Sequence, residues 1–287
     1  MQRIAAAVAM GMWVLGCTRV VDLDLKEGPK RLVVEGRIER QEGSDFGLAT
    51  VRLTTTDAFS SPTVPPPATR ARVELIDGTG SVFRLEEVAN LPGIYNNPDV
   101  APVVGQEYRL TIEYQGERYQ AIERLRDVAP IDSLYFVYQA KTAISRDSGF
   151  RAAIDYRDPA TPGDYYLWEQ VVNDSVRISV DPGNRFRVIS EDRFYNGGKV
   201  VGYQPFDEQV VASGVRVTMR QIGLSEAAFR YYAALFDQTS TGGPFSVPPS
   251  SVRGNLSNVT NPAHYPLGYF LATTVSERTG VVPARQP

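Results

Sequence analysis

The sequence predicts a mainly β protein, and three observations carry that prediction. Apolar and polar residues alternate with period two in segment after segment, as half-buried antiparallel strands require. Glycine-containing turns separate consecutive segments, where tight hairpins need positive φ. One stretch only, after Ser225, spaces its apolar residues as a helix does.

Residues 1–16, MQRIAAAVAMGMWVLG, join Arg3 to an apolar run ending at Leu15, the layout of an export signal. That run is too short to cross roughly 30 Å of hydrocarbon, which takes about 20 helical residues. Val14, Leu15 and Gly16 precede Cys17, the only cysteine in 287 residues, and resemble a bacterial lipobox, whose cysteine is diacylated and becomes the first residue. Lipidation at Cys17 is expected, followed by a tether over 17–30 that carries Asp22, Asp24 and Glu27 and closes on Gly28-Pro29. Two or more acyl chains anchor a protein stably.

Strands follow at RLVVEGRIE (31–39), ATVRLTTT (49–56), ARVELID (71–77), SVFRLEEV (81–88), QEYRLTIEY (106–114) and RYQAIERL (118–125). Asp77-Gly78-Thr79-Gly80 and Gln115-Gly116-Glu117 read as hairpin turns. The proline-rich SSPTVPPPAT (60–69) is an excursion that protects against edge pairing. Six or so strands of this kind predict an N-terminal immunoglobulin-like antiparallel β-sandwich over 31–128.

The pattern restarts at APIDSLYFVYQ (129–139) and continues through FRAAIDYRD (150–158), DYYLWEQVV (164–172), VRISV (176–180) and RFRVIS (185–190). Residues 129–287 are therefore expected to form a second β-rich domain. Within it, 207–223 reads as a strand pair or bulged strand, Ser225 as the N-cap of a helix near 225–238, and YPLGYFLATTVSE (265–277) as a late apolar strand. No repeat of 20 to 50 residues is visible, which disfavours a solenoid or propeller.

Composition narrows the function classes. The formal charge is −3 and becomes one unit more negative when Arg3 leaves with the leader, so a nucleic-acid partner is not expected. With Cys17 acylated no thiol remains for a disulfide, although an exported protein could form one. There is neither a Walker loop nor a G-x-G-x-x-G after a strand, and no cofactor is expected.

LVVEGRI, then Ala71, Val73, Leu75, Asp77 and Gly80, Gly93-Ile94-Tyr95, and Gly105-x-x-Tyr108-x-Leu110 follow one another in order. Pro130-Ile131-Asp132-Ser133-Leu134, Asp192-Arg193-Phe194, Tyr231-Tyr232 and Gly268-Tyr269-Phe270 continue the series. Together with the lipobox they resemble the domain-of-unknown-function family numbered 4249, outer-membrane lipoproteins of Bacteroidota, over essentially the whole mature chain. The resemblance implies a lipid-anchored outer-membrane protein at the cell surface and a TonB-dependent receptor as partner in solute capture. It implies no established activity.

The chemistry-bearing residues are few. His264 is the only histidine, so neither a Cys–His pair nor a zinc site of His and Cys can be assembled, and no metal is expected. A Ser–His–Asp triad would have to use His264 in NPAHYPLG, with no G-x-S-x-G elbow to accompany it. Glu86-Glu87, Glu191-Asp192 and Asp207-Glu208 are adjacent, which in a strand sends them to opposite faces rather than into a shared glycosidase-type site. Asp155 with Asp158, or Asp22 with Asp24, offer oxygens without EF-hand spacing.

Aromatics remain: Tyr166 and Trp168 fall on one strand face and Tyr165 on the other, while Tyr203 and His264 lie in loop-like contexts. Trp168, Tyr203 and His264 are the candidate ligand-binding residues, since exposed rings stack on sugars or anchor interfaces; the simpler reading of Trp168 and Tyr203 is core packing. The expectation is a non-enzymatic accessory lipoprotein. The alternatives are a free-standing glycan- or protein-binding module and a carboxylate-dependent hydrolase.

Overall fold

The computed structural model describes residues 28–58, 64–141, 147–177, 188–239 and 251–284; the leader, Cys17, Asp22 and Asp24 lie outside them. Among the described residues the chain is mainly β, with one complete α-helix. Seven strands form the first unit: β1 (Leu32–Gln41), β2 (Gly47–Thr55), β3 (Arg72–Ile76), β4 (Val82–Glu87), β5 (Ile94–Asn97), β6 (Glu107–Tyr114) and β7 (Glu117–Arg124). Their spatial order is β1-β2-β5-β4 followed by β3-β6-β7 within one continuous sheet, a strand order like the ABED and CFG runs expected of an immunoglobulin-like sandwich. Here β4 also pairs with β3, so the two faces join along one edge.

Alternation places Val34 and Ile38 of β1, Val51 and Leu53 of β2, Val73 and Leu75 of β3, and Leu110 and Ile112 of β6 in one core, each at most 1% exposed. The turn between β6 and β7 has positive φ at both Gln115 and Gly116, which matches the strand twist. Tyr108, 1% exposed near the start of β6, accepts a hydrogen bond from the Val103 amide at 2.9 Å. This contact pins the loop before β6 to the core.

The second unit has a three-stranded sheet, β8 (Ile131–Gln139), β9 (Gly149–Arg157) and β13 (Lys199–Tyr203), in the order β13-β9-β8. It faces β10 (Tyr165–Val172) and β14 (Arg216–Leu224), with β11 (Ser175–Arg177) and β12 (Ile189–Glu191) pairing on β10. The opposite face of β10 and β14 is covered by α1 (Glu226–Thr239), whose N-cap Ser225 accepts from the Ala228 amide at 3.1 Å. Of the segment 207–223, only the part from Arg216 is strand. Gly214, at φ +79, turns the chain just before it, which corrects the expectation of a strand pair. β15 (Leu256–Asn258) extends β7.

The last strand, β16 (Leu267–Val281), joins the two units. Its first half runs parallel to β1, from Val33–Leu267 to Gln41–Val275, and its second half antiparallel to β14. Because side chains alternate across a strand, Phe270 and Ala272 enter the first core while Tyr269, Leu271 and Val275 enter the second. The cores otherwise divide between Leu125 and Val128, so β16, expected in the second domain, belongs to both. Gly268 at φ +94 sits against the Val34 carbonyl, where a Cβ would collide. Among the described residues no helix is long and apolar enough to cross a membrane.

Candidate functional site

The three aromatic candidates part company. Trp168 is 0% exposed, its indole donating to Gln221 Oε1 at 3.2 Å, with the rings of Tyr166 and Tyr203 at 5.8 and 4.9 Å. It is a core residue and cannot meet a ligand at the surface, because the β8-β9-β13 sheet covers the face on which it lies. Tyr203 is half-buried against it and closes that core. Tyr165, on the other face, packs on Phe229 of α1 at 5.1 Å.

The adjacent carboxylates separate, Glu86 and Glu87 across strand β4, Glu191 and Asp192 where β12 passes into a 3-10 turn, while Asp207-Glu208 lies in a turn rather than a strand. Glu86 pairs with Arg84, while Glu87 accepts from the Gly93 and Arg70 amides. Glu191 pairs with Arg193, while Asp192 accepts from the Gly163 amide at 2.9 Å. Asp155 accepts from the Gly202 amide and the Tyr135 hydroxyl, away from Asp158.

A constellation that no local motif announces gathers Asp158, Asp164 and Asp192, one oxygen of each lying within 4.8 Å of the others. Asp158 and Asp192 are 2% and 4% exposed. Asp158 accepts from the Tyr166 hydroxyl at 2.7 Å and the Gly197 amide at 3.1 Å, so the two buried carboxylates clamp the loops at 197 and 163. Burial pushes Asp158 upward, and burial followed by the charges of Asp158 and Asp192 pushes Asp164 up to about 6. Asp164 also lines a cleft of about 240 Å³ at the seam between units, with Gly105, Arg124 and Arg126. Three protein oxygens are fewer than the six to eight that Ca²⁺ takes, and the oxygens of Asp158 and Asp192 already serve the loops. The sequence did hold one signal: Asp158 and Asp164 bracket the turn-forming Pro159-Ala160-Thr161-Pro162-Gly163, which brings its ends together.

His264 lies at the root of the tether. Its Nδ1 is 2.8 Å from Glu117 Oε2 and its Nε2 is 2.5 Å from the Lys30 carbonyl. Both partners only accept, so full satisfaction needs both ring N–H groups; the Lys30 carbonyl, then Glu117, raise its pKa. Beside it, Arg31 donates to the Tyr265 carbonyl at 3.0 Å and stacks on that ring at 3.6 Å, with Arg253 at 3.8 Å from the same centroid. A groove of about 440 Å³ runs from Arg253 to Tyr231 and Arg230 of α1.

The family model described as "Domain of unknown function (DUF4249)" matches residues 18–279. No curated protein matches. Among solved structures, a crystal structure of a DUF4785 family protein from Legionella pneumophila is 14% identical with a TM-score of 0.22, covering 69% of this chain and 54% of that one. This chain thus spans about half of that protein's length, and a likeness at that TM-score carries no argument.

Proposed function

Taking as premise that the chain belongs to the DUF4249 family, we propose that it is a non-enzymatic outer-membrane lipoprotein, tethered by acyl chains on Cys17, that serves a TonB-dependent receptor in solute capture. The observation that carries this reading is the polarity of β1. At its start the chain is fixed to the fold by His264 and Arg31. At its far end, ten residues on and about 33 Å away, the β1–β2 hairpin exposes Phe46 at 66% and Leu48 at 38%.

Pro102 abuts Gly47 of that hairpin, and Val103 beside it is 57% exposed. A lipid on Cys17 would therefore hold one pole at the membrane and present an apolar pole to a partner. The receptor and the outward-facing location come from the family resemblance.

The test is recovery of the tagged, lipidated protein from its native outer membrane in mild detergent, with mass identification of what accompanies it. A stoichiometric barrel-sized receptor is expected, and Phe46→Asp should reduce its recovery. The lipoprotein recovered alone, where known receptor complexes survive, would overturn the receptor role in favour of a free-standing binding module.

A further inference from the structure

The tether root concentrates positive charge on an acidic protein. Lys30 is exposed, Arg31 and Arg253 flank the two faces of the Tyr265 ring, and His264 faces two acceptors. Two guanidinium carbons within 4 Å of one centroid must lie on opposite faces, since on one face they would collide. Among the described residues no carboxylate pairs with Arg31 or Arg253. Among the described residues the neighbouring acids are already engaged: Glu117 by His264, Tyr119 and Asn258, Glu113 by Arg118, and Glu226 by Arg230; in sequence the tether sets Lys26 and Lys30 against Asp22, Asp24 and Glu27. Stacking holds each guanidinium plane while leaving N–H groups at its rim for an oxyanion.

We propose that this face docks onto the phosphate-bearing, anionic headgroups of the bilayer that holds the anchor. The inference rests on the tethered reading above, and the tether's length commits it to that occupant. Cys17 and Lys30 are 13 residues apart, so the face stays within about 45 Å of the acyl chains at full extension and far closer when the tether coils. A chain of net charge −3 is otherwise repelled by an anionic surface. Cations at the root that are not paired with a carboxylate among the described residues orient the molecule with its root toward the membrane and the Phe46 pole away from it. Each basic residue held near such a surface contributes roughly fivefold in binding.

The test uses the full chain carrying Cys17→Ser, without acyl chains, in cosedimentation with phosphatidylcholine vesicles with and without phosphatidylglycerol. The leader, with Arg3 before its apolar run, also favours anionic vesicles, so the tether root is read from the difference between parent and variants that share that leader. Preference for the anionic vesicles is expected. It should fall about 30-fold in Arg31→Gln/Arg253→Gln and about fivefold in Lys30→Gln, and stay unchanged in Arg84→Gln/Arg193→Gln, which removes the same charge elsewhere. Thermal melting checks folding of the double variant, and Lys30→Gln, a change at an exposed side chain, keeps the test decisive if the double variant unfolds. Equal binding to both vesicles, an equal loss in the control pair, or displacement by inorganic phosphate at matched ionic strength would overturn the proposal. Failure of lipidation itself would appear separately, as a mature chain lacking acyl mass.

Discussion

Two buried carboxylate sites in the second unit differ in what surrounds them. Glu169 on β10 has a side chain 3% exposed and lies between Arg37 of β1, at 2.7 Å, and Arg220 of β14. Arg220 continues to Glu39 at 2.5 Å and Glu277 at 2.6 Å, so the network crosses four adjacent strands. Burial pushes Glu169 upward, and Arg37 and then Arg220 more than reverse it. At Asp164 burial acts in the same direction, but the nearest charges are two more carboxylates, and the group is left at about 6. Desolvation pushes both groups the same way, although Asp164 itself is only half-buried. The neighbours decide whether the charged form is held or expelled.

The first way to break this comparison is Glu169→Ala, which leaves two largely buried guanidiniums short of a counter-ion. Losing one partner of a buried ion pair costs about 3–5 kcal/mol, and the remaining Glu39 and Glu277 place the expected loss near the lower end, about 3 kcal/mol. Urea unfolding of parent and variant measures it. A change below about 0.5 kcal/mol would show that the network adds nothing beyond packing. Since the folded-state pKa of Glu169 is lowered, its stabilisation is present above the ordinary value near 4.5 and is lost as pH falls through the folded one.

Asp164→Asn should act in the opposite sense. The parent's folded state holds its proton to about 6 against an ordinary value of 3.8, so it binds more protons than the unfolded chain between those values, and unfolding free energy falls as pH rises through that window. The amide removes the charge and can donate to Asp158 or Asp192. At pH 7 the variant is expected to gain about 1 kcal/mol after solvent screening, and at pH 4 to gain nothing. Parallel urea curves at the two pH values decide. A gain of the same size at both would trace the effect to packing.

The asymmetry between the sites also explains what could be read beforehand. In the first unit one strand face meets core and the other solvent, so alternation in LVVEGRI and in the strand carrying Tyr108 marks both strand and face. In β10 both faces are covered, and Tyr166, Leu167, Trp168, Glu169 and Gln170 are all buried in succession. Period two assigned Tyr166 and Trp168 to one face correctly, but it carries no information about whether a second sheet lies on that face. The ionic network joins Arg37 to Glu169 across 132 residues, and β16 reaches back to β1 across the whole chain. Such pairings are set by topology, which one-dimensional spacing does not encode. The local devices were legible: the Ser225 cap and the Gln115-Gly116 turn each act over a few residues.

His264 and Glu117 supply the intermediate case, a pair with 32% and 21% of their side chains exposed, where solvent screens most of the interaction. Because the folded-state pKa of His264 is raised, the stabilisation is complete below the ordinary value near 6.5 and is lost as pH rises through the folded one. A neutral ring keeps one donor, so either Glu117 or the Lys30 carbonyl must give up its hydrogen bond. The loss should be local and about 0.2–1 kcal/mol, seen as faster exchange of the Arg31 amide, which otherwise donates to Thr56 Oγ1 at 2.9 Å, once intrinsic exchange is corrected for pH. His264→Ala should remove the pH dependence and show fast exchange throughout. If Arg31 protection is instead flat between pH 6 and 8 in the parent, the tether root is held by Arg31 and Tyr265 without the imidazole, and the charge at that pole is independent of pH.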